Sequence, residues 1–183
     1  MTKYKEARFT SRDGLSLYYR DYQGDGAGVP ALCLPGMTRN SKDFEDLAPH
    51  LARTRRVLSA DLRGRGRSEP DPDIKNYNAR IYADDVWELL DHADAPEVAV
   101  VGTSLGGIMA MLLATQRPGR IRGAVLNDIG PVLEQAGLDR ISDYVNDAPQ
   151  VSTWGEAADA IRAANEAFYP GFGPNDWDKF ARR

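Results

Sequence analysis

The stretch Val98-Ala99-Val100-Val101-Gly102-Thr103-Ser104-Leu105-Gly106-Gly107 decides how the rest of the chain is read. Four consecutive apolar residues, Val98 to Val101, predict a fully buried strand. The chain then turns through Gly-x-Ser-x-Gly, and Ile108 to Gln116, a run without Gly or Pro, predicts a helix. A strand, a tight turn carrying a serine and a helix are the context a nucleophile elbow requires. Gly102 and Gly106 have no Cβ, so strand and helix can approach closely around a strained serine backbone. Ser104 Oγ would then stand at the carboxyl end of a central strand. The helix dipole and its first amides would point at any oxyanion formed there. Alone the five-residue pattern is weak, because a Gly-rich turn with a capping serine produces it too. The buried strand and apolar helix on either side favour the elbow.

Outward from this stretch, strands and helices alternate. Ala7 to Thr10 and Leu15 to Tyr22 flank Ser11-Arg12-Asp13-Gly14, a hairpin signal. Ala31 to Leu34 is a short buried strand ended by Pro35-Gly36. Asn40 or Ser41 caps a helix expected over about 42–52, with Phe44, Leu47 and Leu51 on one face. Val57 to Ala60 is the next strand, ending at Asp61. The polar segment 63–78 carries Gly64, Gly66, Pro70 and Pro72 and reads as a loop. Ile81, Val86, Leu89 and Leu90 repeat at helical spacing over 79–93. After the central strand and its helix, Pro118-Gly119 stops that helix, and Ala124 to Leu126 form another strand ending at Asn127-Asp128. This alternation predicts right-handed crossovers and a mainly parallel sheet covered on both faces. Ligands bind outside the carboxyl ends of such strands. Met37, the 61–68 loop, Ser104 and Asp128 are therefore expected to converge on one crevice.

After Pro131 the composition changes. No strand-like run follows, and Thr153-Trp154-Gly155-Glu156 is a capping box opening a helix toward Phe168. Trp154, Phe168, Tyr169, Phe172, Trp177 and Phe180 make the segment aromatic-rich. It reads as a helical excursion that covers a pocket, or as helices packing among themselves.

The 183 residues and 42% hydrophobic content fit one soluble globular domain. A net charge of −4 argues against nucleic acid or an anionic membrane as partner. The single cysteine, Cys33, cannot form an internal disulfide and fits a reducing compartment. The N-terminus leads into no apolar signal core, so a cytoplasmic location is expected.

Several separated motifs resemble the α/β-hydrolase superfamily. Leu34-Pro35-Gly36-Met37 is similar to its oxyanion loop, Asp61-Leu62-Arg63-Gly64-Arg65-Gly66-Arg67-Ser68 to its Asp-x-Arg-Gly-x-Gly-x-Ser loop, and Gly102 to Gly106 to its elbow. The resemblance runs from about Leu15 to Pro131. It implies an α/β fold with strands 1–6 of the mainly parallel sheet over 1–130, the start of a helical cap over 131–183, and the last strands absent from this chain. It also implies Ser104 as catalytic nucleophile, backbone N–H groups of Met37 and Leu105 as the oxyanion hole, and neither cofactor nor metal. Losing one such donor raises the barrier by about 3 kcal/mol. The side chains of Met37, Arg39 and Asn40 would line the substrate pocket. Pro35 departs from the histidine many relatives carry there.

The arginine-glycine loop has two other readings. Arg63, Arg65 and Arg67 are merely solvated charges, or the loop cradles a phosphate. No helix starts at the glycines and the P-loop lysine pattern is missing, which disfavours the second.

A serine hydroxyl needs a base. The family order is Ser, then Asp or Glu, then His, but His50 and His92 both precede Ser104. Each sits near the end of a crossover helix, away from the active face. Asp128 is one candidate for the acid and otherwise reads as a turn residue. The expected activity is hydrolysis of a small carboxylic ester, lactone or thioester through an acyl-enzyme, with perhydrolase chemistry on the same triad left open. The serine disfavours the aspartate-based dehalogenase and epoxide hydrolase chemistries. The other reading is a non-catalytic protein that binds a small ligand. The histidine, two further strands and the rest of the cap are expected from a second polypeptide, a C-terminal remainder of roughly a hundred residues.

Overall fold

In the computed structural model, the described residues are 4–24, 26–132, 134, 135, 137, 139 and 150–183. Six strands form one sheet: β1 (Lys5–Thr10), β2 (Ser16–Tyr22), β3 (Gly28–Leu34), β4 (Arg55–Ala60), β5 (Val98–Thr103) and β6 (Ile121–Asn127). Their spatial order is β1-β2-β4-β3-β5-β6. β1 and β2 form the expected antiparallel hairpin, and β2 also runs antiparallel to β4. The β4–β3–β5–β6 part is parallel throughout. The architecture is thus the mainly parallel α/β sheet expected from the sequence.

Alternation along β3 assigns the two faces. Leu32 and Leu34 are fully buried with Leu58, Val100 and the inward faces of α2 (Ala79–His92) and α3 (Leu105–Gln116). Ala31 and Cys33 point the other way, against Phe44 and Ala48. Burial pushes the Cys33 thiol up to about 12, so it is an inert part of this core. The helix expected over 42–52 is broken instead. A 3-10 turn, Ser41–Phe44, is capped by Asn40, and the short helix α1 (Leu47–Leu51) follows. The Asp61 carboxylate takes the Ser41 N–H at 2.7 Å and ties this first turn to the end of β4.

The chain divides into two compact units, Met1–Val132 and Leu133–Arg183. Much of the stretch after Val132, where the helical excursion is expected to begin, lies outside the described residues. In the second unit α4 (Trp154–Asn165) opens with the expected capping box, Thr153 Oγ1 accepting from Glu156 N at 3.2 Å. α5 (Pro174–Ala181) starts on a proline. Tyr169, Phe172, Trp177 and Phe180 stack together, with Tyr169 and Phe172 centroids 4.7 Å apart. Beside them is a hollow of about 520 Å³ bounded by Arg162, Glu166, Tyr169, Phe172, Pro174 and Trp177. Trp154 and Phe168 remain more than half exposed. No helix among the described residues is long and apolar enough to cross a membrane.

Candidate active site

β5 ends in a sharp turn into α3. Ser104 adopts φ 50° and ψ −113°, a conformation L-residues avoid. A Cβ on Gly102 would lie 2.3 Å from Gly106 O, and one on Gly106 would lie 2.1 Å from Leu34 O. Both glycines are therefore required by the backbone approach itself. Ser104 N–H donates to Asn127 O at 3.0 Å, tying the turn to the end of β6. Its carbonyl accepts from Gly107 N–H at 2.8 Å and Ile108 N–H at 3.1 Å, which starts α3 at once. The Ser104 hydroxyl makes no capping bond to that helix. The side chain of Ser104 thus does not act as the cap, and the residue is half-buried. Leu105, the first residue of α3, has an N–H with no intrahelical acceptor by the geometry of a helix start.

The loop after β3 lies against this turn. A Cβ built on Gly36 would stand 3.8 Å from Ser104 Cβ and 3.7 Å from Arg39 Cγ. Gly36 to Arg39 form a tight turn, with Arg39 N–H donating to Gly36 O at 3.1 Å. Arg39 pairs with Asp43 at 2.7 Å, and the Met37 side chain is exposed.

The three arginines of the 61–68 loop differ, and each of them is engaged by the protein's own groups. Arg63 is buried, with its guanidinium 2.6 Å from Asp85, 2.8 Å from Asp13 and bonded to Asp71. These carboxylates push its pKa far above the ordinary arginine value, Asp85 contributing most. Asp13 is held below the usual carboxylate range, first by its bond to Arg63. Asp71 is also held low, first by the Asp73 N–H. Burial pushes Asp85 up, and Arg63 only partly offsets that. Arg67 pairs with Glu6 and lies over the Tyr18 ring at 4.5 Å. Arg65 donates to Met37 O. Asp61 takes Ser41 N–H with one oxygen and Arg67 N–H, at 2.8 Å, with the other. Gly66, at φ 56°, leaves room for that carboxylate, since a Cβ there would stand 2.2 Å from Asp61 Oδ2. These ties from the 61–68 loop to the loop after β3 are what sequence reasoning missed. The one signal was Asp61 at a strand end ahead of two glycines.

Of the residues expected to converge, the loop after β3 meets Ser104 through Gly36, the 61–68 loop reaches Met37 O through Arg65, and the end of β6 meets Ser104 through Asn127 O. Asp128 follows β6 directly, with φ 54° and its side chain exposed. His50 is exposed in the last turn of α1. His92 is exposed at the end of α2, its ring 6.3 Å from those of Phe9 and Tyr19. Each histidine precedes a parallel strand, and six residues of β5 at about 3.3 Å each put His92 roughly 20 Å from Ser104. Neither can be its base. Among the described residues no group of three or more His, Cys, Asp or Glu side chains could hold a metal ion.

The sequence model of the family described as alpha/beta hydrolase fold matches residues 30–172. The 3-hydroxybutyrate-oligomer hydrolase of Cupriavidus necator is 33% identical over 146 residues, which is 79% of this chain and 50% of that protein. The 2-hydroxymuconate semialdehyde hydrolase of a Pseudomonas species is 34% identical over 127 residues, 65% of this chain and 44% of that protein. A crystal structure of an alpha/beta hydrolase from Novosphingobium aromaticivorans superposes with a TM-score of 0.94 at 43% identity, covering 100% of this chain and 64% of that one. The chain spans about half the length of the curated relatives it matches.

Proposed function

Since the chain belongs to the α/β-hydrolase fold family, we propose that it carries the nucleophile half of a serine hydrolase acting on a small carboxylic ester, lactone or thioester. The observation behind this reading is Ser104, held in a left-handed turn with its hydroxyl unused for capping. The hydrolase names of the matched relatives support the reaction class. In this reading Ser104 Oγ attacks the substrate carbonyl carbon while a histidine takes its proton. The oxygen of the tetrahedral intermediate is held by the N–H groups of Met37 and Leu105. The alcohol or thiol leaves with that proton, and water then releases the acid and restores Ser104.

Both histidines of the chain lie away from Ser104, so the base comes from elsewhere. We assign it to a C-terminal segment that pairs with β6 as a second polypeptide, brings the acid unless Asp128 serves, and continues the cap begun over 131–183. The exposed apolar edge of β6 supports that assignment. A fluorophosphonate probe tests the reading on the assembled protein. Labelling that Ser104→Ala removes, together with a loss of turnover of at least a thousandfold at unchanged melting temperature, is expected. Ligand binding without any labelling would favour a non-catalytic binding protein. Turnover within tenfold of the parent in Ser104→Ala would refute the nucleophile.

A further inference from the structure

We propose that Arg65 is a positioning residue that locks the oxyanion loop in its working conformation. The proposal rests on Met37 N–H being an oxyanion donor, as above. That N–H belongs to the Gly36–Met37 peptide, whose carbonyl is turned to Arg39 N–H. Because the peptide is trans, the Met37 N–H faces the opposite way. The next peptide, Met37–Thr38, is the central one of the Gly36–Arg39 turn. Central peptides of such turns can turn over, interconverting turn types by rotating ψ of one residue and φ of the next. A turnover here swings the Met37 carbonyl and changes ψ at the residue whose N–H is needed.

Arg65 blocks that motion. Its Nε–H donates to Met37 O, the oxygen that would have to move. The same guanidinium donates to Arg63 O and to Tyr82 Oη, each at 3.2 Å, and lies 5.1 Å from the centre of the Tyr82 ring. Tyr82 is buried on α2, so the brace is anchored in the core and not in another loop. The residue ahead of the turn, Pro35, has no N–H and no polar side chain, and so cannot hold the loop itself. A planar fork that reaches three acceptors suits this task, and an ammonium does not replace it.

Two neighbouring arginines make the test. In the catalytically active protein, Arg65→Met is expected to lower kcat at least tenfold with KM within threefold, and to slow phosphonylation of Ser104 in parallel. Arg65→Lys, which reaches one acceptor but not all three, is expected to fall between. Arg67→Met, whose side chain touches Glu6 and Tyr18 instead, is the control and should keep kcat within twofold. Amide exchange measured on the chain itself should quicken at residues 37–41 in Arg65→Met and stay unchanged in β3. An active parent whose Arg65→Met keeps kcat within twofold, loses only KM, or leaves exchange at 37–41 unaltered overturns the brace alone. A parent that neither turns over nor is labelled overturns the serine-hydrolase reading, and the brace with it.

Discussion

The two edges of the sheet are built in opposite ways. β1 reads Lys-Glu-Ala-Arg-Phe-Thr, with Lys5, Glu6, Arg8 and Thr10 exposed and only Phe9 buried. Charges on an outermost strand discourage further pairing. β6 reads Ile-Arg-Gly-Ala-Val-Leu-Asn, and Gly123, Ala124 and Val125 are exposed, Val125 at 58%. Its neighbour β5 reads Val-Ala-Val-Val-Gly-Thr, and there Val98 and Val100 are buried to within 1%. Apart from Arg122, which pairs with Glu97, β6 thus has the residues of an interior strand in the position of an edge. The first edge is also tethered. Arg63 reaches Asp13 in the β1–β2 turn, and Arg8 donates to Arg67 O at 2.7 Å.

The largest expected effect comes from breaking the centre on which both edges hang. Gly106→Val places a branched Cβ where 2.1 Å separates it from the Leu34 carbonyl, a backbone atom that cannot step aside. We expect a loss above about 4 kcal/mol, the size seen only for severe core disruption. Circular dichroism should find no cooperative melt near that of the parent. An unchanged melting temperature would remove the close-approach argument.

Next comes the tether of the first edge. Arg63→Met leaves Asp85 without its counter-charge in a buried site, which costs about 3–5 kcal/mol. The pH dependence has a definite sign. Asp13 and Asp71 are held low in the fold, so their contribution is present above about pH 4, the unfolded carboxylate range, and fades as pH falls. Asp85 is raised, so its ionised form opposes folding once pH passes the unfolded carboxylate range, and protonation relieves it. Without Arg63 the low values lose their cause and the cost of ionised Asp85 grows. The stability gap between parent and variant should therefore narrow from pH 7 to pH 4 in urea melts. A gap that widens would contradict the assignment.

Much of this was legible beforehand. Val98 to Gly107 announced strand, turn and helix because apolar run length and glycine spacing are local properties. The hairpin, the capping box at Thr153 and the helical repeat from Ile81 to Leu90 are local as well. What stayed hidden depends on residues far apart in sequence. Asp61, some twenty residues on, takes the Ser41 N–H and ties the 41–44 turn to the end of β4. Arg63, Arg65 and Arg67 alternate in a polar loop and look alike. One is buried among three carboxylates, one holds a carbonyl, and one is a surface ion pair. Only the third matches the solvated reading.

A smaller effect separates the inner strand from the outer one. Val100→Ala removes two methyl groups from a fully packed site, for about 2 kcal/mol. Val125→Ala, in the adjacent parallel position next to Val101, should stay within about 0.5 kcal/mol. Equal losses in chemical denaturation would show that β6 is covered in solution.

The smallest change in stability, and the sharpest probe of the two edges, is expected from Val125→Lys. The side chain is exposed, so the melting temperature of the chain should shift by no more than a degree or two. Pairing is another matter, since an unprotected apolar edge offers its N–H and C=O row to any passing strand. The chain at high concentration should associate through β6, and a lysine there should return it toward monomer in sedimentation velocity. Glu6→Val is the mirror experiment, because it removes a charge from the protected edge at the cost of one exposed ion pair. It should leave stability nearly unchanged and raise association. In the assembled hydrolase proposed above, Val125 would be covered by the incoming strand. The same lysine should then weaken assembly and lower fluorophosphonate labelling of Ser104, although Ser104 lies in the turn after β5 and not on β6. If Val125→Lys alters neither association of the chain nor labelling of the assembled protein, β6 is a finished edge like β1, and the proposal that a second polypeptide pairs with it falls.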